Sequence, residues 1–427
     1  MTVEQASAHS VPKMIRSIGA LGLVQISGYV LPLATLPYLT RVLGVEQFGK
    51  IALAQASMTY GVLLVDFGFS LSATRRVAVA KGDHIELSRI ASATWIAQWV
   101  LVVIAGLLFV PMAYFLKLSE GDLWITIASF TSVIAAATFP MWLFQGLERL
   151  ETSAAVQLLT RIIALLFLFA LVRKPEDAFM VPLINGGTLV IGGLMAVNTL
   201  QRRGIIKLHT STRRDVAHEI KHGLSLFGSK IVISTYSTMV PLALGWFAGA
   251  SAVAQFNLAD RIRIAAQALL SPVSQVLYPR ISHLVNADPS SATYMIRKSA
   301  LPILFIAGGT SLFLWSFSGQ LVLLLGGRDF KNSPTVLRWL SFAPFAIGLS
   351  NLFGIQVMLT HGLSRIFNGI LVSAGILAVL LVSPLILLSA EVGAAQTVVI
   401  VESWVTLAMA YAIWRKGLFV RFKARKE

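Results

Sequence analysis

The chain contains no cysteine among its 427 residues. This absence excludes disulfide bonds, thiol nucleophiles and cysteine-ligated metal sites. Charged residues are also scarce: they make up 13% of the chain, whereas a soluble domain carries roughly 25%. The acidic residues are the scarcer kind, with 19 Asp and Glu against 35 Lys and Arg, which gives a formal net charge of +16. An ordinary soluble domain is therefore excluded by composition.

Histidine is rare as well, and most of the seven histidines fall in predicted loops. One stretch, His218-Glu219-Ile220-Lys221-His222, matches the H-E-x-x-H pattern that holds zinc in some metalloproteases. It lies in a basic connection next to Arg213 and Arg214, and no convincing third ligand follows it. We interpret the match as accidental, and we expect neither a metal site nor a cofactor.

Long apolar runs dominate what the chain does contain, since 56% of its residues are hydrophobic. A helix that crosses the ~30 Å hydrocarbon core needs about 20 apolar residues. The runs predict an all-α, polytopic membrane protein of about twelve transmembrane helices. The predicted spans are 18–40, 48–70, 88–115, 122–145, 153–172, 178–200, 223–248, 253–279, 300–325, 335–360, 366–389 and 393–414. No small-residue cleavage site is evident after Lys13 and Arg16, so we expect the first run to be a retained span.

The basic residues are distributed unequally between the two sides of the predicted spans. With the N-terminus in the cytoplasm, 23 Lys and Arg fall on the cytoplasmic side and 7 on the other. Because cytoplasmic segments carry the excess of basic residues, both termini are predicted to be cytoplasmic. The positive charge then faces anionic lipid headgroups, and nucleic acid is not an expected partner.

The spans divide into two sets of six. The predicted domains are an N-terminal lobe (1–200), a basic cytoplasmic connection (201–222), a C-terminal lobe (223–414) and a basic tail (415–427). A short internal echo supports a duplication, because Val45-Glu46-Gln47-Phe48 recurs as Val253-Ala254-Gln255-Phe256. Repeated halves are typical of transporters, which place the substrate site where the repeats meet.

Eight charged residues lie at least three residues inside the ends of the predicted spans, where each would cost roughly 2.5–3.5 kcal/mol if it faced lipid at the helix centre. They therefore indicate a polar interior or ion pairs. The five cations outnumber the three acids, which favours an anionic substrate because arginine binds phosphate bidentately. The predicted cationic lumen comprises Arg161, Lys230, Arg261, Arg263 and Arg338, and the acids are Asp66, Asp260 and Glu402.

Simpler roles remain open for several of these charges. Asp66 is close to a span end and could face Arg75 or Arg76, and Arg338 is also near an end. Asp260 and Arg263 are three residues apart, so they could neutralise each other on one helical face. Arg261 points roughly 100° away from Asp260 and needs another partner. For Arg161 and Lys230 a lumen role is favoured over snorkelling. Glu402 is either a proton or cation site or the partner of an arginine.

Three ordered motifs carry a family resemblance. They are LPLATLPYLTRVLGVEQFGKIALAQASMTYGVLLVDFGFSLSATRRVA at 31–78, MWLFQGLERLETSAAVQLLTRIIALLFLFALV at 141–172 and QFNLADRIRIAAQALLSPVSQVLYPRISHL at 255–284. The chain resembles the Wzx-type flippases of O-antigen and exopolysaccharide synthesis, within the multidrug/oligosaccharidyl-lipid/polysaccharide exporter superfamily. The resemblance covers almost the whole chain, although the last two helices match only in character.

The resemblance implies translocation of an undecaprenyl-diphosphate-linked oligosaccharide from the cytoplasmic to the periplasmic leaflet of a bacterial inner membrane. It implies alternating access between two six-helix lobes, driven by a proton or sodium gradient. A polysaccharide polymerase and a chain-length regulator are the implied protein partners. Arg41, Asp66 and Asp260 with Arg261 are motif residues, and Arg41 thereby joins the cationic substrate-binding set. The second arginine, Arg263, departs from the pattern of many relatives.

Two other functions are considered. A multidrug exporter of the same superfamily would favour an acidic or aromatic pocket for cationic drugs, contrary to the positive interior here. A membrane polymerase or glycosyltransferase would need a sizeable periplasmic loop for its chemistry. The longest predicted periplasmic connection, around 326–334, is only about ten residues long. The chain is therefore predicted not to be an enzyme.

Overall fold

A computed structural model describes residues 3–115, 120–207, 209, 211–268 and 271–418. These residues fold almost entirely into helices, which confirms the predicted all-α class. The α-helices are α1 Val3–Asp66, α2 Phe69–Val79, α3 His84–Phe115, α4 Glu120–Ser129, α5 Thr131–Thr138, α6 Met141–Gly146, α7 Leu150–Leu171, α8 Met180–Arg202, α9 Arg213–Gln267, α10 Ser271–Ala287, α11 Pro289–Ser316, α12 Ser318–Leu325, α13 Ser333–Leu340, α14 Ala343–Asn351 and α15 Ser364–Arg415. A 3₁₀ helix, Pro175–Phe179, precedes α8, and a π-helix, Leu352–Leu359, follows α14.

Three of the long helices are each two helices that meet at a break. The backbone of α1 leaves helical geometry at Gly44 (φ 71°, ψ 177°) and that of α9 at Gly249 (φ 82°, ψ 177°). The chain reverses within α15 at Ser389 and Ala390. Nine stretches of the described residues are long and apolar enough to cross a membrane, and three of them contain one of these breaks. Dividing those three gives the predicted twelve spans of a multi-pass membrane protein.

The matching breaks at Gly44 and Gly249 strengthen the internal echo. Both glycines combine a positive φ with an extended ψ, a region that is essentially open only to glycine. Gly44 lies directly before its copy of the repeated four-residue segment and Gly249 lies four residues before its copy, each between the first and second spans of its half. The two halves therefore break with the same backbone conformation at similar positions.

Several predicted spans are less regular than a continuous helix. Span 48–70 is interrupted at Phe67 and Gly68, which both have positive φ (40° and 81°). The stretch predicted as 122–145 is built from α4, α5 and α6, and that predicted as 335–360 from α13, α14 and the π-helix. Proline accounts for part of this, since Pro140 immediately precedes α6 and lacks the amide that a continuous helix needs.

The chain divides into two compact units. Unit 1 comprises residues 1–38 and 50–231, and unit 2 comprises residues 39–49 and 232–427. The predicted lobes have simpler limits, at 200 and 223, and they assign 39–49 to the first lobe. The contacts assign that segment to unit 2, together with α10–α15 and the second part of α9. The core of unit 1 includes the fully buried Phe69, Val133 and Phe144.

The core of unit 2 gathers apolar side chains from α10, α11, the π-helix and α15. Ile281, Met358 and Ile413 are fully buried there. Thr406 is also buried, and its hydroxyl donates to the carbonyl oxygen of Ala346 at 2.9 Å, which ties α15 to α14. Unit 2 is therefore a packed helical body that surrounds the cavity described next.

Candidate functional site

Unit 2 contains a cavity of about 400 Å³ that we call the Glu402 cavity. Its walls come from α9, α14, the π-helix and both parts of α15. Three charged side chains line it: Asp260, Arg263 and Glu402. Four uncharged polar side chains join them, namely Gln267, Ser350, Asn351 and Thr397. The remaining walls are aliphatic or aromatic, so the charged groups share one small polar space inside an apolar body.

Asp260 and Arg263 form an ion pair on one face of α9. The Nη2 and Nε atoms of Arg263 lie 2.6 and 2.7 Å from Oδ1 of Asp260. Its Nη1 donates to Oε1 of Gln267 at 2.7 Å. Residues three and four apart share a helical face, which brings all three groups together. The pairing anticipated from sequence is therefore confirmed.

Glu402 approaches the same space from the second part of α15. Val398, Val401 and Val405 line the cavity beside it. The Arg263 guanidinium is the charge that acts on its carboxylate. Glu402 and Arg263 thus share the cavity, although no hydrogen bond or ion pair joins their side chains among the described residues. Their proximity could not be found by spacing, because the two residues lie in distant parts of the chain.

Arg261 lies on another side of α9. Its Nε donates to Oδ1 of Asn257 at 2.8 Å. Its guanidinium carbon lies 5.5 Å from the ring centroid of Phe48, within range of a cation–π contact. It does not line the Glu402 cavity. The predicted divergence from Asp260 is correct, and the arginine instead supports the segment 39–49.

Residues 39–49 pack closely against the rest of unit 2. The Thr40 hydroxyl donates to the carbonyl oxygen of Leu325 at 2.9 Å, and Nη2 of Arg41 donates to that of Leu324 at 3.0 Å. Phe48 meets Phe330 edge to face, with ring centroids 5.8 Å apart. Arg41, predicted to bind substrate, is thus exposed and held by a helix-end carbonyl.

Arg161 and Lys230 were predicted to lie in the lumen. Arg161 is half-buried in α7 of unit 1, against the backbone of α1 at Gly28. A Cβ added to Gly28 would lie 3.1 Å from Nη1 of Arg161. Glycine therefore lets the guanidinium lie directly on α1. The side chain of Lys230 lies outside the described residues.

Asp66 and Arg338 have local structural contacts. The Asp66 carboxylate accepts hydrogen bonds from the Gly68 amide at 3.3 Å and the Ser70 hydroxyl at 3.4 Å, so it supports the turn before α2. Arg338 is exposed, and its Nε donates to the Ser318 hydroxyl at 3.1 Å. Neither residue lines the Glu402 cavity.

The H-E-x-x-H segment opens α9 in unit 1. Glu219 is 2% exposed and forms an ion pair with Arg76 of α2. Burial raises the pKa of the Glu219 carboxyl, while Arg76 opposes that effect. The Nε2 atoms of His218 and His222 lie 3.1 Å apart, and the described residues contain no group of three metal-ligating side chains. Glu219 is therefore committed to an arginine.

Sequence reasoning missed the uncharged polar groups of the cavity. Gln267 had a usable signal, because it lies four residues after Arg263 on the same face. Ser350, Asn351 and Thr397 had none, since each lies in a largely apolar stretch with no charged residue three or four positions away. Their contribution depends on how α14 and α15 pack against α9.

Comparison with known proteins identifies the family. A model of the family described as "Polysaccharide biosynthesis protein" matches residues 14–285. The chain belongs to this family. It is 35% identical over 406 residues to the "Putative O-antigen transporter" of Escherichia coli (strain K12), covering 95% of this chain and 98% of that protein. A protein of the same name from Shigella dysenteriae is 27% identical over 403 residues, covering 94% of this chain and 100% of its own length.

Solved structures show the same fold at low sequence identity. One is a lipid II flippase, MurJ, in an inward closed conformation, with a TM-score of 0.74 and 12% identity over 94% of this chain and 87% of that one. Another is an inward-facing multidrug resistance transporter of the MATE family, with a TM-score of 0.69 and 13% identity. The match covers 96% of this chain and 100% of that one. This member of the polysaccharide biosynthesis family therefore shares its fold with these two proteins.

Proposed function

We propose that this chain is a flippase for a lipid-linked oligosaccharide. Its cargo is an O-antigen or exopolysaccharide repeat unit carried on undecaprenyl diphosphate, moved from the cytoplasmic to the periplasmic leaflet by ion-coupled alternating access. The names of the relatives and the shared fold with a lipid II flippase support this function. The carrier lipid and the ion coupling follow from the family resemblance and from the charges within the spans.

The observation that carries the proposal is the charged Glu402 cavity inside an apolar helical body. Charged groups at such positions are expensive and are retained mainly where they serve a polar pathway. A fully self-neutralised structural pair would need only Asp260 and Arg263. The additional acid, Glu402, gives the cavity a charge that can change during a transport cycle.

Arginines supply the complementary contacts for an anionic cargo. A diphosphate offers oxygens that match the planar fork of a guanidinium. Arg161, half-buried against Gly28, is the arginine of unit 1 that we assign to this contact. Arg263 is the corresponding candidate of unit 2, because its bond to Asp260 can be exchanged for one to the cargo. Arg41, Lys230, Arg261 and Arg338 stay secondary candidates.

The proposed location is the bacterial inner membrane with both termini in the cytoplasm. The excess of 23 basic residues on one side over 7 on the other supports this orientation. A transport role without enzymatic chemistry is supported by the short connections, such as that from Leu325 of α12 to Ser333 of α13. A polysaccharide polymerase and a chain-length regulator are proposed partners in the same pathway.

Arg263→Ala and Arg161→Ala variants test the function in a strain of the host that lacks the chromosomal gene. We expect both variants to insert into the membrane yet fail to restore surface polysaccharide, and to accumulate lipid-linked oligosaccharide. Arg365→Ala is the matched control, since it removes an exposed arginine from the first turn of α15. Normal surface polysaccharide in both arginine variants would overturn the assignment of these residues. Normal polysaccharide without the gene at all would overturn the function.

A further inference from the structure

The Glu402 cavity contains two carboxylates and a single guanidinium. Asp260 and Arg263 come from α9, and Glu402 comes from the second part of α15. The walls supplied by α14, the π-helix and the first part of α15 contribute no titratable side chain, because their lining residues are Ile347, Ser350, Asn351, Ile355, Phe367, Leu371 and Ala378. The charge state of the cavity is therefore determined by three groups.

The guanidinium is already engaged on the α9 side. Its Nη2, Nε and Nη1 atoms hold the Asp260 carboxylate and the Gln267 amide oxygen at 2.6 to 2.7 Å. Within the part of the chain that the structure describes, no donor makes a hydrogen bond to the side chain of Glu402. Burying a carboxyl group in such a setting is costly unless it is paired with a cation or carries a proton. Glu402 is therefore the group whose charge is not matched in this arrangement.

We propose that the ion that drives this transporter is the proton, and that Glu402 carries it. This inference rests on the proposed transport function. In the proton-loaded state the Glu402 carboxylate has taken up one proton, and Arg263 stays with Asp260 as observed. When Glu402 releases its proton, it becomes an anion that competes with Asp260 for the guanidinium. The exchange draws the second part of α15 toward α9, and this links proton release to a change of helix packing inside unit 2.

The same geometry argues against a metal cation at this site. Hard cations prefer several oxygen ligands, with carboxylates foremost. Here the guanidinium fork holds the oxygens of Asp260 and Gln267, and its positive charge repels a second cation in the same small space. The residues that the structure describes contain no cluster of three metal-ligating side chains anywhere. A proton needs one carboxylate only.

Infrared difference spectroscopy on the purified full chain tests the proton site without any substrate. Acidification is expected to produce the carbonyl stretch of a protonated carboxylic acid in the wild type, and Glu402→Gln is expected to lose this band. Glu391→Gln is the matched control, because Glu391 is a buried acid of the same helix whose carboxylate accepts a bond from Asn332, away from the cavity. Exchange of choline chloride for sodium chloride at constant ionic strength is expected to leave the band unchanged. A band that survives in Glu402→Gln, or that sodium displaces, would overturn the proposal.

Proteoliposomes loaded with lipid-linked oligosaccharide extracted from the host separate this inference from the transport function. A pH gradient is expected to accelerate flipping by the wild type at least about fivefold, the lower end of typical couplings between two binding events. A sodium gradient alone is expected to have no effect, and Glu402→Gln to lose the response to pH. Flipping that only sodium drives would refute the proton and leave the function standing. A titrating Glu402 in a protein that never flips oligosaccharide would refute the function instead.

A second site lies outside the cavity, where the two parts of α15 form a groove of about 840 Å³. Ile366 and Ile370 line it from one part, and Leu407 and Tyr411 from the other. Leu407 and Tyr411 are 67% and 58% exposed, so this surface faces the hydrocarbon of the membrane. The groove therefore suits hydrocarbon chains that lie along the protein.

The groove ends in positive charge. Arg415 and Lys416 line this end, and Trp414, which is 65% exposed, lies beside Tyr411 with ring centroids 5.9 Å apart. Aromatic side chains of this kind mark the level of the lipid headgroups, where clustered basic residues attract anionic lipids. We infer that the groove binds an anionic phospholipid, with its acyl chains between the helices and its phosphate on Arg415 and Lys416.

Native mass spectrometry of the full chain with added phosphatidylglycerol or phosphatidylcholine tests this site. We expect preferential retention of phosphatidylglycerol and its loss in the double variant Arg415→Gln/Lys416→Gln. The matched control is Arg202→Gln/Arg203→Gln, which removes a similar exposed pair at the end of α8. Equal retention of the two lipids, or equal loss in the two double variants, would contradict the inference. Displacement of phosphatidylglycerol by polyprenyl phosphate would also overturn it, since the groove would then belong to the carrier lipid.

Discussion

Substitution of Gly49 by alanine is predicted to destabilise unit 2. Gly49 follows Phe48 in the segment 39–49, and its Cα faces the backbone of α9 next to the break at Gly249. A Cβ added there would lie 1.9 Å from the carbonyl oxygen of Ala250 and 2.6 Å from its carbonyl carbon. Small residues at helix contacts allow this kind of backbone approach in membrane proteins. The two helices must therefore separate to admit a methyl group.

The structure indicates how large the effect is. Ordinary contact of a Cβ begins at 3.4 Å, so the backbone of Ala250 must retreat by about 1.5 Å. Overpacking of this kind costs about 1–3 kcal/mol. We expect the upper end, because the obstacle is backbone and not the end of a flexible side chain. The better helix propensity of alanine returns at most about 1 kcal/mol. The net loss is therefore about 2 kcal/mol.

Thermal unfolding of the detergent-solubilised protein checks this prediction. Gly309→Ala is the matched control, because Gly309 is a helical glycine of unit 2 with no atom within 4 Å of an added Cβ. Gly49→Ala is expected to unfold at a lower temperature than the wild type, whereas Gly309→Ala is expected to unfold at the same temperature or a higher one. Equal midpoints for Gly49→Ala and the wild type would refute the close approach of the two helices.

Three further predictions concern charged and histidine side chains. Arg161→Lys is expected to restore only part of the surface polysaccharide that Arg161→Ala loses, measured on gels at equal protein levels, because lysine keeps the charge without the bidentate fork. Burial raises the pKa of Glu219 above its ordinary value of 4.5, so the folded chain holds this proton more tightly than the unfolded chain. The stability of the wild type relative to Glu219→Gln is therefore expected to fall as the pH rises above 4.5. If the thermal midpoints of the two proteins move in parallel across that pH range, the result contradicts this expectation. A double His218→Ala/His222→Ala variant is expected to contain as little zinc as the wild type and to restore polysaccharide fully, whereas loss of transport together with bound zinc would show that the motif functions.

The number of spans could be predicted from the sequence, because a long apolar run has few stable alternatives to a transmembrane helix. It also left open the pair of Asp260 and Arg263 that the structure contains, since a spacing of three places both on one helical face. The breaks inside spans were harder to predict. Phe67 and Gly68 interrupt a continuous apolar run, and only the aspartate and glycine of the DFG segment hint at a turn.

Long-range placement could not be predicted from spacing. Glu402 and Arg263 belong to distant helices, and their meeting depends on how α15 folds back at Ser389 and Ala390. Arg261 was correctly predicted to need a separate partner, but nothing in the sequence identified Phe48 as the ring beneath it. Arg338 is among the predicted lumen cations because it lies in an apolar run. Its helix is short, and the side chain reaches Ser318 at the adjacent helix end.

The most direct test of the central claim measures on which side of a membrane the oligosaccharide appears. Sealed proteoliposomes that contain the purified chain and lipid-linked oligosaccharide from the host are treated with periodate, which cannot cross the bilayer and oxidises only sugars on the outer leaflet. We predict that wild-type protein makes the inner-leaflet pool accessible over time under an imposed pH gradient, and that Arg263→Ala vesicles stay at the value of protein-free vesicles. An inner-leaflet pool that stays protected in wild-type vesicles under both proton and sodium gradients would contradict the proposed flippase function.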